Sequence, residues 1–349
     1  MANSSYQIAT TPKLYVSYPL YQYASGALDT YNSTNSVLSD EEMIKLIQID
    51  PSNQVEVVDN SSLVDLRYRI IPSNYTIDNA TDLDTLDDSG IWNFDYYMIL
   101  GHNFNTSSTA AGASAVRNNV NYSMGQTDII NGVNTWTDYD GLSLMNVNNT
   151  KGEWFRLSLM ASQIQCKIGS LLWGRSYQFP MNTQINTSTK FEYGIKQKST
   201  ISGKTISSAN WTKPNNWITE PFGLNDGEEG DNFQRRSGRR VWKMTFDSLA
   251  PDKVMPQNMM MNSNGYTAQD NHSVAADGTS SLYNINNSED FYSAVVHKTM
   301  GGHLPMVLQI DSSDNSPSNF AIVRMNKDYT VTQKSPLLFS YSITLTEQI

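Results

Sequence analysis

Cysteine is nearly absent, with Cys166 the only one in 349 residues. An intramolecular disulfide is therefore impossible, and a cysteine-rich metal site is excluded. Charge is scarce too: Asp, Glu, Lys and Arg make up 17% of the chain, and the balance is acidic at −10. An average soluble domain has about a quarter of its residues charged. The basic face of a general nucleic-acid binder is missing from these totals, so no specific nucleic-acid partner is expected. No apolar run approaches the ~20 residues that cross a bilayer. No charged-then-apolar leader opens the chain. These lacks predict a soluble protein assembled in a cytoplasm, with no membrane insertion.

What fills the space is uncharged and aromatic. Asn, Ser and Thr are abundant, and 19 Tyr, 11 Phe and 7 Trp are too many for a disordered chain. Aromatics and Thr with little charge favour strands, and Asn, Ser, Gly and Asp supply turns. Sequons at Asn32, Asn74, Asn79 and Asn210 are what this composition produces by chance.

Period-two alternation marks the strands. Val64, Leu66, Tyr68 and Ile70 share one face, with Asp65, Arg67 and Arg69 on the other. Trp92, Phe94, Tyr96, Met98 and Leu100 share a face in the same way. Further strands are predicted over 14–23, 155–160 and 164–172, with Cys166 as a small buried residue of the last. A short helix over 41–47 is signalled by Ser39 and Glu42 at capping-box spacing, although its β-branched end leaves strand open. This half, residues 1–180, reads as an antiparallel β-sandwich of jelly-roll type.

The second half, residues 181–349, begins with a predicted element at 191–199. Strands follow at 239–249 (Trp242, Met244 and Phe246 on one face), 305–310, 320–326 and 338–346. A helix is predicted over 288–300. Asn287 or Ser288 would cap it, Glu289 and Asp290 suit its first turn, Lys298 suits its last, and Gly301-Gly302 would end it. The order predicts an α+β sheet with one packed helix. Two long polar inserts, 202–238 and 262–287, are expected to be ordered against a partner.

Catalytic patterns are lacking. The histidines are His102, His272, His297 and His303, with no HExxH or His-x-His spacing, and no GxSxG, Walker A or dinucleotide fingerprint occurs. Gly301-Gly302-His303 reads as a helix stop rather than an oxyanion loop. The carboxylates at Asp82, Asp84, Asp87 and Asp88, and at Asp226, Glu228, Glu229 and Asp231, lack the EF-hand pattern and read as solvated loops, with a structural calcium left open. The expectation is a non-enzyme with no cofactor, no metal and no catalytic residue. The residues nominated for interaction are Trp211, Trp217, Arg235, Arg236, Arg239 and Arg240. Local balance between the arginines and the nearby acidic loop is the plainer reading of that cluster.

The segment Tyr97-Met-Ile-Leu-Gly-His-Asn-Phe104 resembles a pattern in phage tail proteins with a galactose-binding-like sandwich. Ile168-Gly-Ser-Leu-Leu-Trp-Gly174, followed by Pro180, looks like the end of the same module. The element order of the second half resembles the tail-tube and distal-tail type of domain. These resemblances imply a tail or baseplate protein of a tailed-phage virion, a mainly β structural protein forming homo-oligomeric rings. Its partners would be copies of itself and neighbouring virion proteins, and the insert at 202–238 would be an arm between subunits. The alternative they imply is a receptor-recognition or decoration protein that binds a host surface glycan, with Trp92, Trp136, Trp154 and Trp173 available for stacking.

Overall fold

Leu171, Leu172 and Trp173, consecutive in sequence, are all fully buried, which requires a strand with protein on both faces. The computed structural model shows how this arises. It describes residues 11–28, 31–34, 38–51, 53–57, 64–69, 94–102, 109–117, 120–123, 142–150, 154–161, 166–180, 186–209, 216–217, 220–221, 238–255, 289–315, 319–326 and 328–348.

In chain order the elements begin with β1 (Lys13–Tyr15), α1 (Tyr18–Ala24), β2 (Tyr31–Thr34), α2 (Asp40–Ile47), β3 (Val55–Val57) and β4 (Val64–Arg69). Next come β5 (Phe94–Leu100), β6 (Thr109–Arg117), β7 (Val120–Ser123), β8 (Leu142–Thr150), β9 (Trp154–Ala161), β10 (Cys166–Ile168), β11 (Ser170–Gly174) and β12 (Ser176–Gln178). Then follow β13 (Asn186–Glu192), β14 (Lys196–Ser199), β15 (Thr205–Ser208), β16 (Asn216–Trp217), β17 (Glu220–Pro221) and β18 (Arg239–Leu249). A π-helix (Tyr292–His297), β19 (Met306–Gln309), β20 (Phe320–Met325), β21 (Val331–Ser335) and β22 (Leu338–Glu347) complete the described chain. Among the described residues all strand pairings are antiparallel.

Three sheets stack in layers. The outer one has five strands in the order β2-β4-β9-β6-β7, the middle one three in the order β11-β5-β8. The third has eight, in the order β12-β1-β19-β20-β22-β18-β13, with β21 beside β22. Leu66, Tyr68, Phe155 and Leu157 of the outer sheet meet Tyr97, Ile99, Met145, Leu171 and Trp173 of the middle one. Trp173 stacks on Phe155 with ring centroids 3.9 Å apart. The opposite face of the middle sheet, with Tyr96, Met98, Leu100, Leu144 and Leu172, meets Tyr15, Val307, Phe320 and Ile322 of the large sheet. The far face of the large sheet, with Trp242, Met244, Phe246, Tyr341, Ile343 and Leu345, covers Phe291 and Val295 of the helical segment. Among the described residues the middle sheet therefore has protein against both faces, and β5 and β11 lose polar alternation. Asp95 is the exception on β5: its carboxylate accepts the backbone N–H and hydroxyl of Ser176 at 2.8 and 2.7 Å.

Several expectations are met. The capping box forms, with Ser39 N–H and hydroxyl both donating to Glu42, and α2 follows. The strand over 239–249 has the expected bounds and faces. Gly301 and Gly302, at φ +75° and +87°, end the helical segment. A Cβ on Gly302 would enter the space of Met325.

Others are corrected. The strand expected over 14–23 is three residues of β1 and then α1, because Ser17 caps Leu20 N–H and Pro19 presets the first turn. The strand expected over 164–172 breaks at Gly169, which sits against Pro51 where a Cβ has no room. The element at 191–199 is the end of β13 and a separate β14. The predicted α-helix is wound as a π-helix over Tyr292–His297, described from 289 onward. Ser293, Ala294, Val295 and Val296 are all buried there, so its apolar surface is wider than one helical stripe. Its N-terminal side is capped by Asp290, whose carboxylate accepts Ser293 N–H at 2.8 Å.

The large sheet also includes β1 and β12 from the first half of the chain, on both sides of the middle sheet's strands in sequence. The insert at 202–238 holds β15, β16 and β17, and most of its remainder lies outside the described residues, as does all of 262–287.

Candidate interaction surface

The large sheet ends on β13, which pairs with β18 from Asn186↔Thr245 to Glu192↔Arg239. Among the described residues no strand lies on its outer side. Thr187, Ser188, Thr189 and Lys190 are exposed, so this edge strand is also uncovered on its faces. Such an edge presents a row of backbone donors and acceptors to any strand that reaches it. At its end Glu192 accepts from Lys190 at 3.0 Å and from Arg239 at 2.9 Å. Those two hydrogen bonds, Arg239 first, hold the Glu192 carboxyl below its ordinary pKa.

Three residues later the chain enters β14 and β15, which pair with each other and with no other described strand. Ile195, Ile201 and Ile206 are exposed along this hairpin, Ile201 completely so at its tip. Phe191, at the end of β13, is half exposed.

The nominated residues separate. Arg239 lies at this edge and is partly exposed. Arg240, its neighbour, points the other way and is buried, donating to Glu347 from Nη2 at 2.8 Å and from Nε at 3.2 Å. Its Nη2 also reaches Phe320 O at 3.1 Å, and the guanidinium lies 4.9 Å from the Trp242 ring. The Arg240 cation is thus committed to holding β18 to the C-terminal strand. Trp211, Arg235 and Arg236 lie outside the described residues, and Trp217 is described only as backbone of β16, paired with Glu220. The carboxylates at 82–88 and 226–231 also lie outside.

His102 is buried and hydrogen-bonds Ser143 Oγ through Nε2 at 2.7 Å. Burial pushes its pKa down to about 3, so the ring is neutral and a poor proton acceptor at neutral pH. His297 is half-buried and meets Tyr21 Oη at 2.9 Å. His303 is exposed, and His272 lies outside the described residues. Lys298, expected in the last turn of the helix, is buried. Its Nζ sits 5.1 Å from the Tyr18 ring and donates to Ser293 O at 3.3 Å. Burial, then the nearby Arg175 cation, pushes its pKa down to about 7. The sequence gives no warning of this, since a lysine in a last turn is ordinarily at the surface. Among the described residues no group of three or more His, Cys, Asp or Glu is placed to share a metal ion, and no helix is long and apolar enough to cross a membrane.

Of the tryptophans available for sugar stacking, Trp173 is core, Trp154 is described only as backbone, and Trp92 and Trp136 lie outside the described residues. Comparison with models of protein families, with curated proteins and with solved structures yields no match.

Proposed function

We propose that this chain is a structural subunit of a tailed-phage virion, in the tail or baseplate, that associates with copies of itself through β-contacts between subunits. The supporting observation is the edge strand β13, which among the described residues has no strand on its outer side and exposed side chains from Thr187 to Phe191. Isolated soluble proteins protect such edges with bulges, charges or a covering segment, and permanent assemblies pair them. The uncharged, Asn- and Tyr-rich composition suits large, partly wet permanent interfaces. The phage assignment rests on the resemblances of sequence and element order given above.

Sedimentation velocity of the purified full chain over a wide concentration range, with negative-stain imaging of the largest species, tests this. Closed oligomers of defined stoichiometry are expected. A species that stays strictly monomeric at high concentration overturns the reading.

A further inference from the structure

We infer that the β14–β15 hairpin is a peripheral membrane contact: its three lysines meet the phosphates of an anionic phospholipid surface while the isoleucine at its tip enters the headgroup boundary. The hairpin is a different element from the β13 edge, and the inference does not rest on the subunit reading.

Exposure is the first support. From Gly194 to Ala209 every residue is exposed except Thr200, which is intermediate. Ile201 is fully exposed, and Ile195 and Ile206 are 61% and 59% exposed. Among the described residues no third strand joins the hairpin, and a two-stranded hairpin by itself is marginal in water. Its turn is closed locally: Thr200 N–H donates to Lys204 O at 2.8 Å, Gly203 N–H to Thr200 O at 2.9 Å, and Lys204 N–H to Thr200 Oγ1 at 3.1 Å. These bonds fix Ile201, Ser202 and Gly203 as the tip and bury none of its apolar surface.

The second support is the arrangement of side chains. Lys196 lies opposite Ser208, and Lys198 opposite Ile206. Cross-strand partners share a face, and the Thr200–Lys204 pair continues the alternation, so all three lysines and Ile206 occupy one face. Lys198 and Lys204 stand three residues before and three after Ile201. With the isoleucine at the acyl boundary, their flexible stems lie along the apolar layer and carry the ammoniums back to the level of the phosphates. No Asp or Glu occurs from 193 to 209, so the hairpin carries three positive charges and none of the opposite sign.

Residue types identify the occupant. Protein interfaces favour aromatic residues and arginine over lysine, and single-stranded nucleic acid needs rings on which its bases stack. Residues 194–209 contain no aromatic residue and no arginine. Exposed aliphatic side chains flanked by lysine gain from an anionic lipid surface instead, where the apolar part leaves water and each ammonium meets phosphate. The chain as a whole is acidic at −10, yet a lipid surface repels that charge only within a Debye length, about 8 Å at physiological ionic strength. Four residues of strand on each side place the tip about 14 Å beyond the base of the hairpin, outside that range. The contact is peripheral: the hairpin rests at the headgroup boundary and spans nothing.

The test is co-sedimentation of the full chain with phosphatidylcholine–phosphatidylglycerol vesicles and with phosphatidylcholine vesicles alone. Wild type is expected to bind the anionic vesicles, to leave the neutral ones, and to be released by high salt. Lys196→Glu with Lys198→Glu and Lys204→Glu is expected to weaken the partition about 100-fold or more, and Ile201→Asp about 10-fold or more. Ile201→Leu is expected to bind like the wild type. These side chains lie outside the three cores, and circular dichroism verifies the fold of each variant. Wild type that does not bind the anionic vesicles, or charge-reversed and Ile201→Asp variants that bind them as tightly as wild type, overturn the inference. Sedimentation velocity without lipid separates the remaining sources. If wild type leaves vesicles alone and the same variants lose self-association, the occupant is a second copy and the lipid contact falls. Unchanged self-association in variants that have lost vesicle binding supports the lipid contact, and the subunit reading then stands or falls on its own test.

Discussion

Replacing Lys298 with methionine is expected to stabilise the protein at neutral pH and to remove part of its pH dependence. The lysine is 1% exposed, and its amine loses its proton near pH 7 in the folded chain against about 10.5 in the unfolded one. Between those values the unfolded chain binds more protons, so stability rises with pH across that window and is flat below it. At 1.36 kcal/mol per pH unit, the rise from pH 7 to 9 attributable to this group has a ceiling of about 2.7 kcal/mol. Water penetration and relaxation around the ammonium reduce the expected effect to about 1–2 kcal/mol. Methionine keeps the linear apolar stem against Tyr18 and removes the charge. Urea unfolding of wild type and Lys298→Met at half-unit steps from pH 6 to 9 measures the difference. Ionisable groups that do not interact with Lys298 contribute equally to both and cancel. The variant should be the more stable at pH 6 to 7, with the two curves converging towards pH 9. Parallel curves, or a variant less stable at pH 6, would refute the idea that a charged Lys298 is a burden on the fold.

Glu347→Gln should cost about 3–5 kcal/mol by leaving the buried Arg240 cation poorly compensated, whereas Arg240→Met with Glu347→Leu should cost much less; denaturant midpoints distinguish the two. Phe155→Ala should lose about 3–5 kcal/mol, because the ring stacked on Trp173 fills the space between the outer and middle sheets. Gly302→Ala forces a Cβ onto Met325 in a left-handed backbone conformation and should lower the melting temperature by several degrees, as thermal unfolding would record. Ile201→Asp alone should leave the unfolding free energy of the monomer within about 0.5 kcal/mol, since the residue is fully exposed.

Alternation and capping chemistry were legible in the sequence because they are local. Ser39 and Glu42 specify the start of α2 by themselves, and Trp242, Met244 and Phe246 specify the inner face of β18. The outermost position of β13 was not legible. Asn186 to Glu192 has no outward sign of being an edge, because edge status depends on which strands pair elsewhere. The arginine cluster did not disclose how its members are used. Arg239 and Arg240 are adjacent, yet strand geometry sends one to the surface and the other to Glu347, 107 residues away. The hairpin was not legible either: Lys196 to Ser199 fell in the element expected at 191–199 and Thr205 to Ser208 in the insert read as a loop, since neither strand has the apolar alternation by which half-buried strands are recognised, none of it being buried.

By itself the sequence determined that the chain is mainly antiparallel β with few short helices, that it holds no disulfide within itself, and where the faces of β4, β5 and β18 lie, because period, turn chemistry and cysteine count act within a few residues or are fixed by composition. Only the tertiary structure decided that the middle sheet has protein against both faces, that the first strand joins the last ones in one sheet, that Lys298 is enclosed, and that β13 has no strand on its outer side among the described residues. Those outcomes depend on which distant surfaces exclude water from one another, and that is set by the packing of the whole chain rather than by any segment of it.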